Sequence, residues 1–107
     1  MGLVVVPLFD EKVEAWKVWA KSLSNEKSNE FSDFNKKYGL TRHNAWLAET
    51  PGGKVVVALH EGPGADDFLH KVAGSNDSFE LYFKEKLTEF HGMNFDAPPP
   101  PMPVQMI

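Results

Sequence analysis

Four histidines, His43, His60, His70 and His91, are the residues of this 107-residue chain best suited to chemistry near neutral pH. Imidazole titrates close to neutrality, accepts or donates a proton, and ligates metals. His43 and His60 flank Pro51-Gly52-Gly53, a turn signal between two apolar runs. A hairpin folded at that turn brings both to the same end. With Pro51-Gly52 as a two-residue turn, Thr50 faces Gly53 and His43 faces His60. With a three-residue loop and a bulge, Asn44 faces His60 instead. That single step of register decides which polar pair shares a face.

Facing imidazoles can share a proton or begin a metal site, with a third ligand from Glu61, His91 or a partner chain. No HExxH or carboxylate-bridged spacing accompanies them. The expectation is therefore no metal and no cofactor, and the plain alternative is two partly exposed histidines at the mouth of a sheet. Trp46, between them in sequence, has an apolar body suited to an aromatic or aliphatic ligand, although core packing is the commoner use of a tryptophan. The expected ligand-binding set is His43, Trp46 and His60, at one end of the sheet. Trp16 lies on a helix stripe and reads as core, while Trp19 lies towards its flank, within reach of a pocket rim. Tyr82 and His91 share a later helix. His91 also suits a last turn through the helix dipole. His70, beside Lys71, reads as solvent-facing.

Other chemistries lack their residues. The chain has no cysteine, which excludes disulfides, thiolate metal sites and a Cys nucleophile. No serine sits in a Gly-x-Ser-x-Gly elbow, and there is no phosphate loop or dinucleotide fingerprint. The formal net charge of −4, with acids spread along the chain, disfavours nucleic acid. The Lys36–Lys37 pair is explained by a helix C-terminus.

The elements that must position these residues follow from periodicity. Residues 3–8 are apolar and β-branched and predict a first strand. Asp10 offers an N-cap, and Val13, Trp16, Ala20 and Leu23 mark one helix face. Ser28 offers a cap for Phe31, Phe34 and Tyr38, with Gly39 at C′ and Leu40 as its apolar contact. The two helices read equally as one kinked helix. Residues 41–49 and 54–60 form the hairpin. A short helix carries Phe68, Leu69 and Val72 and stops at Gly74. Ser75 or Asn76 caps a last helix with Phe79, Phe83, Leu87 and Phe90, ended by Gly92 and Met93.

This order is β-α-α-β-β-α-α. It fits an α+β fold, a ferredoxin-like βαββαβ two-layer unit over residues 1–92. Residues 93–107 form a proline-rich tail, expected as polyproline II and with room for a short strand over 104–107. The first and third strands each carry three consecutive valines, without the alternation a wet face requires. Helices in such a unit cover one sheet face, so a second copy is expected on the other, as a homodimer. An intramolecular three-layer sandwich is the rival.

Gly39-Leu40-Thr41-Arg42, Ala45-Trp46-Leu47, and Asp77-Ser78-Phe79 through Phe90-His91-Gly92, in this element order, resemble small uncharacterised members of the dimeric α+β barrel superfamily. That superfamily includes antibiotic-biosynthesis-type monooxygenases and stress-responsive barrels. The resemblance implies two sheets packed as a dimeric barrel and a cofactor-free, monooxygenase-like enzyme acting on a small apolar or aromatic molecule. The alternatives are a non-catalytic small-molecule-binding or stress-related protein, or a dimeric interaction module. The Asn, Trp and His types used by the oxygenases are present, without a position-by-position match, and the prolines delay the family's last strand. The apolar N-terminal run lacks a preceding cation, and Val6 stands where myristoylation needs Ser or Thr. No stretch is long enough to span a bilayer. A cytoplasmic protein with no membrane partner is expected.

Overall fold

Two valine-rich segments pair to found the sheet. The computed structural model describes residues 1–98 and 103–107. Strand β1 (Gly2–Pro7) lies antiparallel to β3 (Gly53–Glu61), and β3 pairs on its other side with β2 (Arg42–Thr50). The order among the described residues is β1-β3-β2, antiparallel throughout. Thr50 faces Gly53, so Pro51-Gly52 is the two-residue turn and His43 faces His60. The Thr50 hydroxyl donates to the Gly53 carbonyl at 2.7 Å and closes the turn.

Helix α1 (Val13–Ser22) and α2 (Ser28–Lys37) cross over from β1 to β2, and α3 (Phe68–Ala73) and α4 (Ser78–His91) follow the hairpin. The first two are separate helices. Turn hydrogen bonds, among them Lys27 N–H to the Ser22 carbonyl at 2.8 Å, interrupt them. Neither expected side-chain cap forms. Asp10 opens a 3₁₀ turn over Asp10–Lys12 instead, and Ser28 is already the first residue of its helix. Asp10 and Glu11 still sit where the positive helix end favours acids. Asp77, not Ser75 or Asn76, is the N-cap of α4, again without a side-chain cap bond, whereas the glycine signals at the helix C-termini hold. Gly39 has φ 66°, and the Gly39 and Leu40 N–H groups close on the Lys36 and Asn35 carbonyls with Leu40 buried. Gly92 ends α4 at φ 69°.

All four helices contribute to one core. Trp16, Phe34, Phe68, Val72, Phe83 and Phe90 pack with Val6 and Val56 of the sheet. The core therefore lies on one sheet face, and the three-layer rival does not form. The other face carries Leu3, Val5, Trp46, Val57 and Leu59, by the strict alternation of strand side chains. Val5 is 51% and Trp46 48% exposed. The valine runs thus reflect one face buried by helices and one apolar face that this chain leaves open.

The expected polyproline segment falls largely on residues 99–102, outside the described residues. Residues 104–107, considered above as a short last strand, are in neither helix nor strand. Among the described residues no helix is long and apolar enough to cross a membrane.

Candidate functional site

A cavity of about 260 Å³ opens between the sheet and the helices. Its floor is Val4, Val6, Val56 and Ala58, and its walls include Trp16, Trp19, Phe31, Phe83 and Leu87. Three histidines reach it from three elements. His43 begins β2, His60 nearly ends β3, and His91 is in the last turn of α4. No Lys, Arg, Asp or Glu lines it.

Each histidine is held differently. The His43 Nδ1–H donates to Asn35 Oδ1 at 2.9 Å, which ties β2 to α2. Its ring packs against Phe31 at 5.0 Å and Phe68 at 5.4 Å between centroids. Burial among these rings, then the neighbouring His60, push its pKa down to about 3. His60 is 4% exposed and packs on Phe68 at 4.7 Å. It makes no side-chain hydrogen bond to a described residue, and burial pushes its pKa down to about 4. His91 Nδ1 lies 2.8 Å from the Pro7 carbonyl. A carbonyl can only accept, so Nδ1 carries the proton and Nε2 of the neutral ring keeps its lone pair. Burial lowers the His91 pKa, and the Pro7 carbonyl opposes that shift in part. At neutral pH all three are uncharged; His43 and His91 spend their N–H on Asn35 and Pro7 and keep an Nε2 acceptor, while His60 can offer one donor and one acceptor.

The expected site divides in two. His43 and His60 lie at one end of the sheet on its helix-covered face, as direct partners. Trp46 lies on the opposite face, across from Val57, with the Arg42 guanidinium 6.0 Å from its ring centroid. It does not line the cavity. Residues 43 and 46 are separated by an odd number of steps, so strand alternation puts them on opposite faces whatever the turn.

Trp19 moves the other way. Expected at a rim, it is buried at 8% exposure and packs on Phe83 and Phe90 at 5.6 and 5.5 Å. Its indole Nε1–H has no hydrogen-bond partner among the described residues. The aromatic wall was present in the helix stripes, which single out Trp16, Phe83 and Leu87 as inward-facing. Periodicity does not distinguish a residue packed solidly from one beside a void. His70 is exposed, as its position beside Lys71 suggests. Among the described residues, no three His, Cys, Asp or Glu side chains are grouped to hold a metal ion. No family model, curated protein or solved structure matches the chain.

Proposed function

We propose that this chain is one subunit of a dimeric α+β barrel protein that binds a small, neutral, mainly apolar molecule between its helices and its sheet. The carrying observation is the cavity, roomy and free of charged side chains. An ion buried there would have no countercharge, which is costly. A neutral molecule would meet apolar walls and three uncharged imidazoles. The all-antiparallel β1-β3-β2 order supports the barrel reading, since a ferredoxin-like sheet contains three strands in that order. The open apolar face with Val5 and Trp46 supports a second copy packed there.

Native mass spectrometry of retained molecules, with titration of 2-naphthol followed by amide NMR, tests the binding. Shifts at Val6, Val56 and Ala58, lost in Ala58→Phe, are expected. Shifts confined to the Trp46 face would overturn the assignment.

A catalytic reading is favoured by His91. Its ring is oriented by Pro7, and its Nε2 lone pair is free to take a proton. A cofactor-free oxygenation would convert the O–H and a ring C–H of a phenol to the two carbonyls of a quinone. Dioxygen would supply the oxygen atom and also leave with both hydrogens as water. With their pKa values so far depressed, His43 and His60 are weak bases and suit ligand contacts better. Oxygen uptake with small phenols, abolished in His91→Ala while binding persists, distinguishes this reading from binding alone.

A further inference from the structure

The outer edge of β1 is unpaired among the described residues. Leu8 N–H donates to the Lys54 carbonyl at 3.0 Å, and Pro7 faces Val55. Hydrogen-bonded pairs alternate along an antiparallel ladder. Val6, Val4 and Gly2 therefore turn their backbone groups to β3, while Leu3 and Val5 turn theirs outward. Pro7, also outward, has no N–H, and its carbonyl accepts from His91. The free donors and acceptors of this edge are concentrated at Leu3 and Val5. Such an edge is a template for an added strand.

Beside the edge runs a groove of about 940 Å³. One wall is Val5 to Pro7, another is Leu69 and Ala73 of α3, and the third is Met93 to Pro98. The same chain carries an apolar segment that no described residue covers. Val104, Met106 and Ile107 are 78%, 86% and 109% exposed. Residues 103–107 carry no charged side chain. Extended, they span roughly 17 Å, about the length of β1.

We propose that residues 103–107 of a second copy add to β1 as a fourth, antiparallel strand, and that the two copies exchange these segments reciprocally. This rests on the dimer reading above. Gln105 pairs with Val5 and Ile107 with Leu3, where the free backbone groups are. Alternation then sends Val104 and Met106 into the groove, towards Leu69, Ala73 and Met93. Pro103, without an N–H, falls beyond the last pair. The occupant is the second copy because the chain's own residues 93–98 already form a groove wall, while its terminal side chains are solvated. A two-fold exchange covers both exposed segments at once.

The cysteine-free chain allows a direct test. Pro103→Cys carrying a nitroxide, unlabelled with ¹⁵N, is mixed after subunit exchange with ¹⁵N-labelled wild-type chain. Broadening of the Val5, Leu69 and Ala73 amides in the ¹⁵N chain is expected. Removal of residues 103–107 should speed exchange of the Leu3 and Val5 amide protons by roughly tenfold. Broadening seen only when nitroxide and ¹⁵N are on the same chain would overturn the exchange in favour of the chain's own tail. No broadening in a sample that light scattering shows to be dimeric would overturn the strand addition alone. A monomer would overturn it together with the dimer. Unchanged exchange rates after truncation would also overturn it.

Discussion

His43 and His60 stand edge to face across β2 and β3, ring centroids 4.6 Å apart and planes at 81°. Neither can be protonated cheaply in the folded state. In the unfolded chain both titrate near 6.5, whereas folded they resist to about 3 and about 4. As pH falls below 6.5 the unfolded state therefore binds protons first. Stability is full above pH 6.5 and falls from there down to about pH 4 for His60 and about pH 3 for His43. The slope approaches about 1.4 kcal/mol per pH unit for each imidazole. Urea unfolding across pH 7 to 4 should show this decline, and His60→Phe should flatten it. A wild-type profile level between pH 6.5 and 4 would contradict the burial argument.

Val56 and Val57 are adjacent in β3 and should respond oppositely to the same change. Val56 is 4% exposed and faces the helices, so Val56→Asp buries an unpaired charge and should abolish folding. Val57 is on the open face, opposite Val5 and Trp46. Val57→Asp should leave a folded chain, by circular dichroism, that light scattering finds monomeric. A dimeric Val57→Asp protein would place the partner elsewhere.

Gly64 packs so closely on the Tyr38 carbonyl that a Cβ has no room, and its N–H donates to the Gly39 carbonyl at 3.1 Å. This contact fixes the loop between β3 and α3 against the end of α2. Gly64→Ala should lower the melting temperature sharply. Gly74→Ala is the control: its φ is −88° and its nearest neighbour, the Lys71 carbonyl, lies at an ordinary 3.8 Å. That variant should melt within about 0.5 kcal/mol of the parent.

Glu80 is buried at 3% exposure, where Lys37 and the Tyr38 hydroxyl, at 3.1 Å, reach its carboxylate. Asp77 and Glu80 hold the Lys37 ammonium above its usual range. Lys37→Met should destabilise the chain by leaving a buried carboxylate without a cation. Adding Glu80→Gln should recover part of the loss. A double variant no better than Lys37→Met would show that the lysine acts through its stem rather than its charge.

The strands, the hairpin turn and the inward stripes of the helices were legible in the sequence because each rests on local chemistry. Three valines in a row, Pro51-Gly52, Gly39 before Leu40, and the run Phe79, Phe83, Leu87, Phe90 each fix a conformation or a face within a few residues. Parity, too, was present: residues 43 and 46 on one strand cannot share a face, so Trp46 and His43 were already separated. What tertiary structure alone decided was spacing between elements. Periodicity makes Trp16 and Phe83 inward, but the burial of Trp19 and the gap among the three depend on how far α1 and α4 stand from the sheet. The neutrality of His43 and His60 depends on Phe68, brought from a later helix to cover both rings. Likewise Glu80, an ordinary surface acid in a helix read by itself, is buried because α2 delivers Lys37 and Tyr38 to it. Desolvation is a sum over neighbours distant in the chain, and no local pattern carries it.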